Sequence, residues 1–560
     1  MIGVIAQASY APPIREDMTH SNDGRCQVHL QQQKINDNLL FEDDDFFLAL
    51  QGCVLNVHDL VTSCHCDTLK DAILVLYRQY AGKLCMKIKG SYSLVIYDKR
   101  IDRVYLLNDL LSKTPLYYYI SGGVVIFASS YFALMNLLES GGYGFTLDAL
   151  AIKVMLSAGT LIDDMTYANE VKYLKPYDLI CVDSDISLQT IPVPASAVMR
   201  ESDLVREMDR LFTDAVRLQF EKTFERGYHF FSFLSGGMDS RTVVKAGCRL
   251  GYHAQTCLTY AEPGSKDQQI AQRVASHYGF AHLFVSMNGG EFLKNRTELE
   301  IGTEGMTYYA GTTALLDMMK LIRLSDVGII NSGVGGGEIL GDDFRVVRSE
   351  SSRRKYIDRY VSALECSDEE SDRLRTMFAA YADVGQFLNL NTIRTCLASV
   401  RVAAPFAQVF SPFLDEDFYS FVLTVPAELR MGRSLYRKWL RACMPDSFDD
   451  TSSKGTLASP RAIRYLRSTF YRVLAKLKVK TAYDMNPFEE WCAQRPDLRA
   501  ELSKMLVNDM TALEGADAGI LDLVMARFDK NVFGKLFALT VTGVLSRYFT
   551  LDRKLGPRVE

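Results

Sequence analysis

The sequence predicts an α/β chain in three parts: a strand-rich stretch over residues 1–195, a parallel sheet with helices on both faces over 200–460, and a helical extension over 461–560. Three observations predict it. Before residue 195, β-branched and aromatic runs such as "FFLALQGCVLNV" and "GSYSLVIYDKRIDRVYLLNDLLSKTPLYYYISGGVVIFAS" are broken by turn residues. After residue 200, short apolar strands alternate with amphipathic helical segments, the pattern of parallel strands joined by crossover helices. From about residue 355 the pattern is mostly helical.

Each element has its own warrant. "IPVPASA", 191–197, combines two prolines with small residues and reads as a linker. Ser202 is placed to cap a helix that aligns Leu204, Met208, Leu211, Phe212 and Ala215 on one face. "YHFFSFL", 228–234, is a continuous apolar strand, and Arg241–Leu250 is a helix ended by Gly251. "TCLTYA", 256–261, is a second strand. The helix over 266–279 aligns Ile270, Val274 and Tyr278 and stops at Gly279. "AHLFVSM" and "VGIINS" are further strands. The segment 460–550 has amphipathic stretches without a readable motif, and the chain shows no internal repeat or low-complexity tract.

Composition narrows the classes. The 560 residues are 48% hydrophobic and 23% charged, ordinary for a globular chain of about two to four domains. Lys and Arg number 63 against 68 Asp and Glu, and the resulting charge of −5 argues against a nucleic-acid partner. The twelve cysteines form no CxxC pair. Cys64-His65-Cys66 lacks a second ligand pair, so inert thiols in a reducing compartment are expected rather than zinc. The opening "MIGVIAQASYAPP" lacks the basic and long apolar segments of a signal peptide, and no run approaches the ~20 apolar residues of a membrane span. A cytoplasmic protein without a membrane span is expected.

"SFLSGGMDSR", 232–241, stands where a buried parallel strand becomes a helix, the edge of an open sheet at which ligands bind. Gly236 and Gly237 can take backbone angles closed to other residues and let a ligand approach the main chain. The helix N-terminus that follows supplies N–H groups and a positive dipole end, both suited to phosphate, while Ser235 and Ser240 add hydroxyls. Asp239 repels phosphate unless magnesium lies between them. The stretch is not a Walker A loop, which needs GxxxxGK[ST]. Nucleotide phosphate is the expected ligand.

At these residues the chain resembles the asparagine synthetase family, in which ATP is split between its α and β phosphates. "LSGGMDSR" resembles the family's pyrophosphate loop, and other segments match in the same order. These are "TYAEPGSKDQQIAQRVASHYG" with its acidic loop, "IINSGVGGGEILG", "SPFLDEDFYSFVLTVP" and "SSKGT", 452–456. Before the linker, "ALQGCVLNVHDL", "CDTLKDAILVLY" and the run over 90–130 resemble a class II glutamine amidotransferase domain. The resemblance covers about residues 1–460. It implies an α+β sandwich of antiparallel sheets over 1–195, an ATP-pyrophosphatase domain over 200–460, and 461–560 as a helical extension of the latter.

Two departures from the family pattern matter. The family's first domain begins Met-Cys-Gly, and its processed N-terminal cysteine is the nucleophile. This chain begins Met1-Ile2-Gly3, and Cys26 is too far inside the chain to supply a free amine. Asn56 and Asp67 stand where the family binds glutamine, but no glutaminase activity is expected. The second departure is Gly337, where the family places a magnesium-binding aspartate followed by the glutamate kept here as Glu338. Asp342 and Asp343 lie one helical turn on as replacements. Alternatively one ion is bound by Asp239 and phosphate oxygens alone.

The resemblance implies an AMP- and pyrophosphate-forming carbon–nitrogen ligase that uses ATP and Mg2+. Ser235, Gly236, Gly237 and Ser240 would cradle pyrophosphate and Asp239 would hold the metal. The backbone around Leu234 and Thr259 would face adenine, with Ser332 and Gly333 near the nucleotide. Lys454 would stabilise charge on phosphate or the tetrahedral intermediate. Glu338 would be a base or a metal ligand, and Asp267 either a member of the acidic loop or a helix N-terminal charge. The substrates would be a small-molecule or peptide carboxylate and an amine, with a homodimer or a pathway partner protein left open. Members without the N-terminal cysteine include β-lactam synthetases and lasso-peptide cyclases, which close rings, while SGGMDSR also resembles synthetase-like proteins of surface-polysaccharide pathways. An asparagine synthetase fed by free ammonia and a nucleotide-binding scaffold whose chemistry has decayed remain as alternatives.

Overall fold

The computed structural model describes residues 1–7, 18–193, 199–341, 350–381, 384–445, 485–514 and 517–550. Its first half is a pair of stacked six-stranded sheets with only antiparallel pairings. One sheet runs Val171–Tyr173, Tyr117–Ser121, Val124–Ala128, Ile2–Ala6, Cys26–His29, Thr19–His20. The other runs Ile186–Thr190, Asp178–Val182, Arg103–Asn108, Gly90–Asp98, Phe46–Val54, Leu39–Glu42. Side chains alternate between two cores. Ile5, Val28, Phe47, Ala49, Val95 and Phe127 fill the space between the sheets. Ile2 and Val4 join an outer core with the helices Tyr131–Ser140 and Ala149–Ala158, while Leu48 and Leu50 join another with Leu69–Tyr80. Two buried faces per sheet explain why these strands read as nearly continuous apolar runs rather than as clean alternation.

The elements that build the second half are, in chain order, α1 (Glu201–Glu225), β1 (His229–Phe233), α2 (Met238–Arg249), β2 (Gln255–Ala261), α3 (Lys266–Tyr278), β3 (Ala281–Ser286), β4 (Val327–Asn331), α4 (Gly336–Ile339), β5 (Gln408–Phe410), α5 (Glu416–Thr424) and α6 (Ser434–Cys443). The five strands form one parallel sheet in the order β3-β2-β1-β4-β5. The winding reverses between β1 and β4, and the carboxyl edge at such a switch point is where open α/β sheets take their ligands.

Details depart from the sequence reading. Ser202 does not cap α1: the cap position is Arg200, whose side chain makes no capping bond, and Glu201 and Asp203 supply the first-turn charge. Helix α2 begins at Met238, directly after the glycine pair, rather than at Arg241. Strand β5 is three residues long, too short to show a period. Gly279 does end α3, in the left-handed region at φ 69.

The tail is helical, with Pro496–Ala512, Ala518–Lys530 and the largely buried Val532–Tyr548. The last helix packs on both halves. A Cβ at Gly159 would lie 2.4 Å from Phe537, and one at Gly543 would lie 2.3 Å from Glu300 Oε1. Tyr548 also donates to the Phe132 carbonyl at 3.2 Å. The halves meet again where Asp415 caps α5: Lys89 pairs with Asp415 at 3.3 Å and Asp417 at 2.6 Å, and Lys113 with Glu416 at 2.5 Å. Burial works against the Lys89 charge, but these acids outweigh it and hold the ammonium above its usual value. Among the described residues no helix is long and apolar enough to cross a membrane.

Candidate nucleotide site

The turn from β1 to α2 is built by its own side chains. Ser235 donates its N–H to Ser240 Oγ at 3.0 Å, Gly237 donates its N–H to Ser235 Oγ at 3.1 Å, and the two hydroxyls lie 3.0 Å apart. One hydroxyl donates to the other, so among the described residues one hydroxyl hydrogen remains for a ligand. The Gly236 N–H goes to Asp267 Oδ1 at 2.8 Å, and Asp267 lies buried in the first turn of α3. The three turn amides are therefore satisfied internally, and the sequence expectation that they stand open to a ligand is corrected. Beyond them lies the N-terminus of α2, the positive end of its dipole, whose cap residue Gly237 brings no side-chain bond.

The glycines are not used for unusual angles. Gly237 sits at φ −72, ψ 155, open to any residue, and neither it nor Gly236 has a positive φ. At Gly237 the demand is for room: a Cβ there would meet Ser235 Oγ at 3.2 Å. The demand is stricter in the loop after β4. There a Cβ on Gly333 would lie 2.4 Å from Ser240 N and 2.6 Å from Asp239 C, and one on Gly336 would lie 2.9 Å from Asp239 Cβ and Cγ. The loop after β4 and the first turn of α2 are thus packed together at the switch point. Ser332 is buried, donates its N–H to Phe410 O at 2.8 Å and accepts from Val334 N–H at 3.2 Å.

Leu234 and Thr259 stand behind the turn. Leu234 is in a core with Val244 and Cys257, and its N–H goes to Leu258 O at 2.9 Å. Thr259 Oγ1 donates to Leu234 O at 2.6 Å and lies 2.9 Å from His282 Nε2. Because Thr259 spends its only hydrogen on Leu234, His282 must be the donor in the second contact, which fixes the tautomer. Burial lowers the His282 pKa, which favours that neutral ring.

Asp239 faces α6. Tyr436 Oη donates to its Oδ1 at 2.8 Å, and Arg433 Nη1 lies 3.7 Å from the same oxygen. Burial first, then the Asp239 charge, pushes the Tyr436 phenol well above its usual value, so it stays a donor. Neither residue was named from the sequence, since "RSLYRKWLR" offers only helix-forming character. Glu338 lies in α4, where its carbonyl accepts from Asn389 Nδ2 at 3.2 Å. Lys454, Asp342 and Asp343 lie outside the described residues.

Ile2 pairs with His29 and Ala128 and is buried in the outer core, and the Met1 amino group, which burial lowers to about 4, bonds Ser129 Oγ at 2.7 Å. Asn56 gives its amide to Lys87 O and its carbonyl to Lys89 N–H, both at 2.9 Å, while Asp67 is exposed.

With this geometry in place, comparison with known proteins adds the lineage. The model of the family described as asparagine synthase matches residues 207–486, half of the chain. The chain belongs to the asparagine synthase family. A glutamine amidotransferase domain model matches residues 21–190. The glutamine-hydrolyzing asparagine synthetase 1 of Bacillus subtilis is 23% identical over 339 residues, 58% of this chain and 52% of that protein. The asparagine synthetase of Gallus gallus is 28% identical over 228 residues, 39% and 36%. A putative second asparagine synthetase of Methanocaldococcus jannaschii is 24% identical over 225 residues, 37% and 42%. The chain thus spans about half or less of the length of the curated relatives it matches.

A hydroxyl of the turn, the start of α2 and the close-packed Gly333 meet at the switch point, a donor set compatible with a nucleotide phosphate. The donor set suits magnesium only as an ion carried by the nucleotide. Asp239 is one carboxylate, position 337 adds none, and among the described residues no three acidic, histidine or cysteine side chains gather.

Proposed function

We propose that this chain is an ATP-dependent amide-forming ligase that adenylates a carboxylate and joins it to an amine without hydrolysing glutamine. Its halves are read as an amidotransferase-like unit over 1–195 and a synthetase unit over 200–460 extended by 461–560. The observation that carries the reading is the close packing of Gly333 on the first turn of α2, at Asp239 and Ser240, at the switch point of the sheet. ATP with magnesium, when bound, supplies an electrophilic α-phosphorus and a pyrophosphate leaving group. The substrate carboxylate oxygen bonds to that phosphorus as the bond to the bridging oxygen breaks. The amine nitrogen then bonds to the acyl carbon, AMP leaves with the carbon–oxygen electron pair, and the nitrogen loses a proton. In this scheme the α2 N-terminus with Ser235 and Ser240 holds pyrophosphate, Asp239 orients the metal, and Lys454 and Glu338 serve the developing charge.

Support for the missing glutaminase step is the apolar, buried Ile2 and the main-chain bonds that occupy Asn56. The amine is then free ammonia or one within the substrate, as in ring closure. The test is exchange of labelled pyrophosphate into ATP with candidate acids. Asp239→Asn is expected to lower exchange by about 10²-fold; an unchanged rate would sink the assignment. A second reading, a nucleotide-binding scaffold, is favoured by Gly337 and by the internally satisfied turn. It requires ATP uptake without exchange for any acid.

A further inference from the structure

We infer that Arg433 is the cation that meets the leaving pyrophosphate, in place of the metal-binding carboxylate that Gly337 lacks; the inference rests on the nucleotide reading above. Three observations converge on it. First, the loop carrying Gly337 is pressed onto Asp239. A Cβ at Gly336 would lie 2.9 Å from Asp239 Cγ and 2.8 Å from the Phe413 ring. The position next to the acid thus contributes contact but no charge.

Second, Arg433 comes from a different element and brings a charge to the same carboxylate oxygen, 3.7 Å away. That distance is an ion pair beyond hydrogen-bond length, so charge couples the guanidinium to Asp239. Its side chain is 13% exposed, and it stands 5.9 Å from the centre of the Tyr436 ring. Third, the backbone is held against its preference. Arg433 adopts φ 59, ψ 33 directly after Gly432 at φ 57, ψ 28. Side chains with a Cβ disfavour that left-handed region, and residues kept there cluster at functional sites.

The chemistry suits the role. A guanidinium stays protonated at any working pH and offers five N–H groups in a planar fork that matches phosphate oxygens. When the bond between the α-phosphorus and the bridging oxygen breaks, the electron pair stays on pyrophosphate, and Arg433 neutralises that new charge. Asp239 then has two duties, the nucleotide's metal and the placement of Arg433.

The competing explanation is an ion pair that only ties α6 to α2. Arg433→Gly separates the two, because it removes the backbone strain together with the charge. Calorimetry of the full chain would use inorganic pyrophosphate in EDTA, beside ATP with magnesium. The parent is expected to take up both. Arg433→Gly is expected to lose about tenfold or more in pyrophosphate affinity, and Arg433→Lys to keep part of it. The glycine variant should melt within about 3 °C of the parent. Equal pyrophosphate binding by the glycine variant, a much lower melting point, or a parent that binds ATP with magnesium but not pyrophosphate in EDTA overturns the inference and leaves the nucleotide reading standing. A parent that takes up neither ligand overturns the nucleotide reading and this one with it.

Discussion

The two halves of the molecule face the same task, presenting polar groups at the ends of buried strands, and they answer it in opposite ways. In the first half the first strand begins with a buried isoleucine, and Asn56 has both ends of its amide bonded to the main chain at Lys87 and Lys89. In the second half the strand end opens into a turn whose amides are satisfied within the fold yet which leaves one hydroxyl hydrogen beside the start of α2. Packing keeps a fold, but a site needs polar atoms that the fold has not already used. That is why a family domain can persist here while its chemistry is read as lost.

The sharpest way to break the comparison is at Gly333. An added methyl would sit 2.4 Å from Ser240 N and 2.6 Å from Asp239 C, main-chain atoms that cannot rotate aside. Gly333→Ala should therefore force the two loops apart, at a cost of about 3 kcal/mol or more in denaturant melts. ATP uptake with magnesium should fall with it in calorimetry. Unchanged uptake would mean that the loop contact is incidental. Asn56→Ala makes the reverse test. Two part-buried main-chain groups lose their partner, which should lower stability by about 1 kcal/mol. Pyrophosphate exchange per folded molecule should not move. A fall in exchange without a fall in stability would return the first half to the chemistry.

What was legible in the sequence follows the same division. The parallel strands and the stops at Gly251 and Gly279 could be read because strand and helix periods and left-handed caps are local. The SGG turn was also local, and so was the absence of a nucleophile at Ile2. Tyr436 and Arg433 were not legible, because only the fold brings α6 across to Asp239, about two hundred residues away along the chain. The acidic run at 415–417 reads as a helix start, and nothing near it announces Lys89 and Lys113 as partners. The role of the glycines was misread for a related reason. Sequence shows that a residue is glycine, but whether it is there for a backbone angle or for room depends on what is packed against it.

The tail gives a smaller effect that sharpens the contrast, since its polar seam ties it to the second half and should move stability alone. Glu300 is fully buried beside Gly543, with Arg296 Nε 3.5 Å from an Oε1 that has no hydrogen-bond partner. Burial pushes its carboxyl up to about 8; Arg296 opposes this and Asp509 adds to it. The unfolded chain releases that proton near the ordinary glutamate value, about 4.3. Between there and about pH 8 the folded state holds one more proton than the unfolded state, so stability falls as pH rises through that window and levels off above it. Glu300→Gln keeps the shape without the proton. The parent should lose about 1 kcal/mol per pH unit relative to this variant across the window, measured as paired denaturant melts at several pH values. ATP uptake should be the same in both proteins at each pH, because Glu300 is read as part of the seam and not of the site. Parallel stability curves would mean that Glu300 is ionised in the fold. A change in ATP uptake would mean that the seam reaches the site.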